Sequence, residues 1–159
     1  MEDAVLCIDY DRQQLTRWSP RQFSGEGYQR SPMPLNHDLP TIRVTIDGVE
    51  AVLAIDTGSD SGVQLFPAFD QTHDMQSRYT DLQRGEALSG GGQRFETLAG
   101  TADEVKVGQQ AIRDVPLLFI PQAFDPAWGI DGLIGYELLQ RGTACLDRDR
   151  EHFYWQAAG

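Results

Sequence analysis

Apolar and polar residues alternate most cleanly at residues 39–46, where Ile42, Val44 and Ile46 are interleaved with Thr41, Arg43 and Thr45. A period of two predicts a strand with one face buried. Asp47-Gly48 follows, a strong hairpin signal, and residues 49–55 run back as a second strand that ends on Asp56. Upstream, residues 5–10 and 15–18 read as short strands around the polar turn Asp11-Arg12-Gln13-Gln14. Residues 19–36 carry three prolines and two glycines and read as a loop or linker. Downstream, residues 63–66 form a short apolar segment, and the polar stretch 71–84 gives no assignment. Residues 87–95 read as a hairpin tipped by Gly90, Gly91 and Gly92. Residues 98–107 and 111–120 read as strands around Val107-Gly108-Gln109, residues 121–128 as a loop, and residues 143–146 and 152–155 as a last pair of strands. The one helix expected is short, at residues 136–141.

At 159 residues the chain has the length of a single domain with a real core. Sixteen glycines and eight prolines imply many turns, which favours β structure over a helix bundle. The net charge of -11, with no basic run, argues against nucleic acid and anionic membrane surfaces as partners. No apolar segment approaches the roughly 18 residues of a membrane span, and no secretory leader pattern opens the chain. The compartment stays open between the cytoplasm and, for a piece cut from a longer precursor, the periplasm. Cys7 and Cys145 have neither disulfide-framework nor metal-ligand spacing and read as buried free thiols. His37, His73 and His152 stand singly, so neither a metal nor a cofactor is expected.

The candidate chemistry lies at Leu53-Ala54-Ile55-Asp56-Thr57-Gly58-Ser59. An apolar run lifts a carboxylate to the edge of a core. Gly58 permits a sharp turn just after it, and the Thr57 and Ser59 hydroxyls can donate to it. The same residues also make good Asx-turn chemistry at a strand end. A second landmark is Leu133-Ile134-Gly135 before the short helix, 79 positions after Asp56. Taken alone, it reads equally as ordinary core with a helix-entry glycine.

The two segments together resemble the retropepsin-like aspartic peptidases of bacterial, single Asp-Thr-Gly type, over roughly residues 39–155. Gly132-Leu133-Ile134-Gly135-Tyr136-Glu137-Leu138-Leu139 and the later Leu146-Asp147 strengthen the likeness. It implies a mostly β fold, a retropepsin-like acid-protease β-barrel with one short C-terminal helix. It implies hydrolysis of peptide bonds, with Asp56 catalytic and Thr57, Gly58, Ser59, Leu133, Ile134 and Gly135 supporting its loop. Ser89, Gly90, Gly91 and Gly92 would form a flap that pairs with an extended substrate. The tip at residues 89–94 carries no aromatic residue. Such chemistry needs two carboxylates sharing one proton, and this chain has one Asp-Thr-Gly. The second Asp56 must come from a homodimer partner or another copy of the domain. Thr57 would tie the two loops together, and Ser59 would donate to the outer carboxylate oxygen.

Cys7-Ile8-Asp9-Tyr10-Asp11-Arg12 aligns with Cys145-Leu146-Asp147-Arg148-Asp149-Arg150 at an offset of 138, with four of six positions identical. One reading is two similar hairpins with an Asp-Arg turn. The preferred one makes residues 1–18 the tail of a preceding copy. The domain division expected is therefore 1–36, an N-terminal hairpin and linker, and 37–159, the peptidase domain. The functional expectation is an aspartic endopeptidase acting on peptides or proteins. The alternative is a catalytically silent dimerisation or peptide-binding module of the same fold.

Overall fold

The chain opens with a hairpin, β1 (Val5–Asp9) and β2 (Gln14–Trp18), in the computed structural model, which describes residues 3–159. Next come β3 (Gln29–Pro32) and β4 (Leu35–Asn36). Residues 19–36 are therefore not wholly loop. Pro32 is accommodated because β3 is the outermost strand of its sheet and pairs only with the last strand of the chain. The alternating segment forms β5 (Leu39–Ile46), joined to β6 (Val49–Ile55) by Asp47-Gly48. Both turn residues have positive φ, 45° and 87°, as a two-residue hairpin of this hand requires. After β7 (Val63–Leu65) the chain enters a helix, α1 (Pro67–His73), so the expectation of a single helix is corrected. Proline starts α1, and Phe69 is its one buried residue. Seven residues with one apolar anchor leave no readable helical period.

The chain continues through β8 (Gln83–Leu88), β9 (Arg94–Val107), β10 (Gln110–Phe119) and β11 (Gly132–Ile134). It ends with α2 (Tyr136–Leu139), β12 (Gly142–Asp147) and β13 (His152–Ala157). Eight strands run in the order β4-β5-β6-β11-β7-β10-β9-β8, and β5 also pairs with β9. Six strands, β5-β6-β11-β7-β10-β9, thus form a circuit of hydrogen-bonded neighbours around the main core. Ile42, Val44, Ile46, Leu53, Leu65, Val105 and Leu117 fill that core.

The second sheet runs β2-β1-β12-β13-β3. Ala144, Phe153 and Trp155 lie on its face against the main core. Its other face carries Val5, Cys7 and Cys145, covered by Phe23, Tyr28 and Tyr154. Here the expectation of free thiols is corrected. Cys7 and Cys145 are directly opposite in the antiparallel β1–β12 pair, with Cα atoms 4.0 Å apart, and they form a disulfide. Sequence spacing alone could not reveal this, because the strand register brings the two residues together.

Candidate active site

Asp56 follows directly on β6, whose Leu53, Ala54 and Ile55 are buried. β6 runs parallel to β11, with Ala54 opposite Leu133 and Ile55 opposite Ile134. Four backbone hydrogen bonds lace the loop at residues 56–62 onto the segment at residues 134–137. The Asp56 N–H donates to the Ile134 carbonyl at 2.9 Å, and the Gly135 N–H to Gly62 at 2.9 Å. The Tyr136 N–H donates to Ser59 at 2.8 Å and the Glu137 N–H to Ser61 at 3.1 Å. A side chain at Gly135 would strike the Ser61 carbonyl at 2.5 Å and the Ser59 carbonyl at 2.9 Å. A Cβ at Gly132 would meet the Gln64 carbonyl at 2.0 Å. Glycine is therefore required at both positions for close backbone approach. Asp131 locks the far end of this brace, its Oδ2 accepting the Val52 N–H at 2.8 Å.

The Asp56 side chain is half-buried. The Gly58 N–H donates to its Oδ1 at 3.0 Å, within the tight turn that Gly58 makes. Among the described residues no other hydrogen bond reaches the carboxylate. Neither hydroxyl bonds the Asp56 carboxylate among the described residues. Thr57 is exposed, and the Ser59 hydroxyl turns inward. It lies 2.8 Å from the Ser61 hydroxyl and accepts from Gln64 Nε2 at 3.1 Å. Ser59 thus braces the loop from beneath. Gln64 and Ser61 complete this network and were missed in the sequence. The available signal was Gln64 alternating between the apolar Val63 and Leu65 of a short strand.

The family model described as aspartyl protease matches residues 42–138, more than half of the chain, and spans both Asp56 and the Gly135 brace. This chain belongs to the aspartyl protease family. The sequence matches no curated protein. Among solved structures, the fold resembles a retropepsin-like aspartic protease from Rickettsia conorii. The TM-score is 0.60 and the identity 18%, over 83% of this chain and 92% of that one. A complex of EIAV protease with the inhibitor HBY-793 aligns at TM-score 0.49 and 20% identity, over 64% of this chain and 86% of that one. The fold is retropepsin-like and mostly β, with two helices rather than one.

Within this aspartyl protease domain, the expected site residues fall into two groups. Asp56, Thr57, Gly58 and Ser59 are brought against Leu133, Ile134 and Gly135. Ser89, Gly90, Gly91 and Gly92 form the tip between β8 and β9, where the Gly92 N–H donates to the Ser89 carbonyl at 2.8 Å. Gly92 takes φ +78°, the left-handed residue of a three-residue hairpin loop. The tip is largely exposed, but the hairpin is anchored near Asp56. Phe95, beside the tip and opposite Ala87, packs on the apolar cluster that contains Ala54, Leu133, Phe124 and Trp128. Ala54 stands two residues before Asp56, so this cluster packs on the strand end that carries the carboxylate. A groove of about 760 Å³ lies between α1, the hairpin base and the end of β10, and includes Leu65, Thr97, Phe119 and Ile120 in its walls. Asp56 is not among its lining residues. Among the described residues no group of three or more His, Cys, Asp or Glu could hold a metal ion.

Proposed function

We propose that this chain supplies one half of the active site of an aspartic endopeptidase. The observation that carries the reading is the braced Asp56 carboxylate. It is half-buried at a strand end, fixed by the Ile134, Gly135 and Tyr136 hydrogen bonds, and holds one internal donor, the Gly58 N–H. Its remaining acceptor capacity is unused among the described residues, and a second carboxylate can share a proton with it. In the paired site one carboxylate takes a proton from water as the water attacks the peptide carbonyl. The other donates its proton to the developing oxyanion; on collapse the first gives the proton it took from water to the leaving amine, and the second takes a hydroxyl proton back from the gem-diol. Asp56 of this chain and Asp56 of a second copy fill these roles, with Thr57 exposed at the junction.

The substrate is an extended peptide or protein segment. Ala54, Leu133, Phe95, Phe124 and Trp128 favour an apolar side chain next to the scissile bond. The β8–β9 hairpin, with its side-chain-free tip, lies over the backbone of that segment as an added strand. The test is cleavage of apolar peptides across acidic to neutral pH, with and without pepstatin. Asp56→Asn is expected to lower cleavage by at least about a hundredfold, the low end of what a positioned acid or base contributes. Cleavage that survives Asp56→Asn sinks the mechanism. A correctly paired, folded protein that cleaves nothing favours the silent binding module.

A further inference from the structure

Residues 5–18 repeat residues 143–156 in structure as well as in sequence. The offset of 138 that aligns Cys7-Ile8-Asp9 with Cys145-Leu146-Asp147 also carries the pairs of the first hairpin onto pairs of the last. Val5 with Trp18 maps onto Thr143 with Gln156, Leu6 with Arg17 onto Ala144 with Trp155, and Asp9 with Gln14 onto Asp147 with His152. The turns match too. The Arg12 N–H donates to Asp9 Oδ1 at 3.0 Å, and the Arg150 N–H donates to Asp147 Oδ1 at 3.1 Å. Gln13 and Glu151 take left-handed φ values of 52° and 53°. The two hairpins meet through β1 and β12, where Val5 opposite Asp147 and Asp9 opposite Thr143 exchange under the same offset. The four strands β2-β1-β12-β13 therefore have a local two-fold axis through the Cys7–Cys145 bond.

Burial breaks this symmetry. Phe153 and Ala144 are each 1% exposed on the main core, whereas their equivalents Leu15 and Leu6 are 65% and 38% exposed. One hairpin has a core beneath it; the other presents the corresponding face with Leu6 and Leu15 exposed and Arg17 in the place of Trp155. That face ends beside the candidate site. Tyr10 stacks edge-on against Tyr136 at 5.4 Å, and Tyr136 is bonded to the Ser59 carbonyl.

We infer that residues 5–18 are the closing hairpin of a preceding copy of this domain in the same polypeptide. The axis through Cys7–Cys145 relates the two copies. The preceding copy places its core under Leu6, Ile8 and Leu15 and brings its own Asp-Thr-Gly loop to the axis. The disulfide then staples the copies across that axis. This rests on the two-carboxylate reading and names the partner it needs. A freely associating identical chain is disfavoured, because β1 already occupies the edge of β12 that such a partner would pair with.

The test joins residues 37–141 directly ahead of residue 4, which restores the path the chain takes from Arg141 into β12. The tandem protein is expected to be monomeric, with its two Asp56 carboxylates within hydrogen-bond reach in a crystal structure. Leu15→Asp is expected to lower the melting temperature of the tandem by several degrees and leave that of the 159-residue chain nearly unchanged. Equal effects in both proteins overturn the inference, as does a tandem that fails to fold. So does a 159-residue chain that dimerises with its disulfide intact and loses the dimer on Leu15→Asp. Cleavage is scored separately, with Asp56→Asn in either copy. Carboxylates that meet without cleaving peptide defeat the protease reading and leave the pairing standing.

Discussion

The Ile134 carbonyl accepts the Asp56 N–H at 2.9 Å, one step beyond the parallel ladder that β6 and β11 share. That bond makes the position of the carboxylate a property of two buried strands rather than of a loop. Gly135 follows Ile134 and packs under the same loop, with the Ser61 carbonyl 2.5 Å from where its Cβ would be. Gly135→Ala must push this backbone outward. A loss of about 1–3 kcal/mol in denaturant unfolding is expected, typical of overpacking a close contact. Gly90→Ala, with nothing within 4 Å of its Cβ position, is the control and should change stability by less than about 0.5 kcal/mol. Equal effects at the two glycines would show that the brace does not hold the loop.

The inward turn of Ser59 makes a second prediction. Its hydroxyl accepts from Gln64 Nε2 at 3.1 Å in a part-buried site. Ser59→Ala leaves that amide without its partner and should cost about 1 kcal/mol, the usual net worth of such a bond. A double-mutant cycle with Gln64→Ala should return a coupling of roughly 0.5–1.5 kcal/mol. Strict additivity would mean that the two side chains do not support each other.

A third prediction concerns alkaline pH. Tyr79 donates to Asp47 Oδ2 at 2.7 Å, which ties the β5–β6 turn to the short helical turn before β8. Burial first, then the hydrogen bond and charge of Asp47, raise the Tyr79 phenol well above its ordinary value. The folded state therefore holds the phenolic proton more tightly than the unfolded chain does. The contribution is fully present below pH ~10, where the unfolded phenol begins to ionise, and is lost as pH rises above it. Unfolding free energy should fall with pH in that window, and Tyr79→Phe should flatten the fall. An unchanged slope in Tyr79→Phe would assign the alkaline loss to other groups.

Much of the site could be read from residue order because its parts lie at strand ends. The alternation at Ile42, Val44 and Ile46 and the Asp47-Gly48 turn fix where β6 must end, and that end is Asp56. Gly132 and Gly135 carry the signature of close backbone approach, although only the fold identifies what approaches. Other parts were hidden for physical reasons. β3 makes its ladder through one neighbour at a sheet edge, where proline is tolerated, so Pro32 reads as loop. α1 buries only Phe69, too little for a period. Closeness in sequence points the Ser59 hydroxyl at the carboxylate, whereas in the fold Gln64, five residues on, bonds it. The disulfide needed the register of β1 on β12, which sets Cys7 opposite Cys145, because the repeat offset of 138 fits any antiparallel register.

That bond supports the last prediction. It joins residues 138 apart, and loop-closure entropy alone assigns such a crosslink roughly 4–5 kcal/mol. The measured effect of reduction should be smaller, because the structure offers a cheaper response than global unfolding. Val5 and Cys7 are the only buried residues of the first hairpin, while β12 and β13 keep Ala144, Phe153 and Trp155 on the main core. Reduction by a dithiol, or Cys7→Ser with Cys145→Ser, should therefore release residues 5–18 while the other strands stay folded. Hydrogen exchange reads this directly. Amides of β1 and β2 should lose protection on reduction, and amides of β6, β11 and β13 should keep it. The outer edge of β12 becomes free at the same moment, so the reduced chain should gain a tendency to pair with a second chain through that edge. Full protection retained in β1 after reduction would mean that its ladder to β12, rather than the sulfur bridge, holds the hairpin in place.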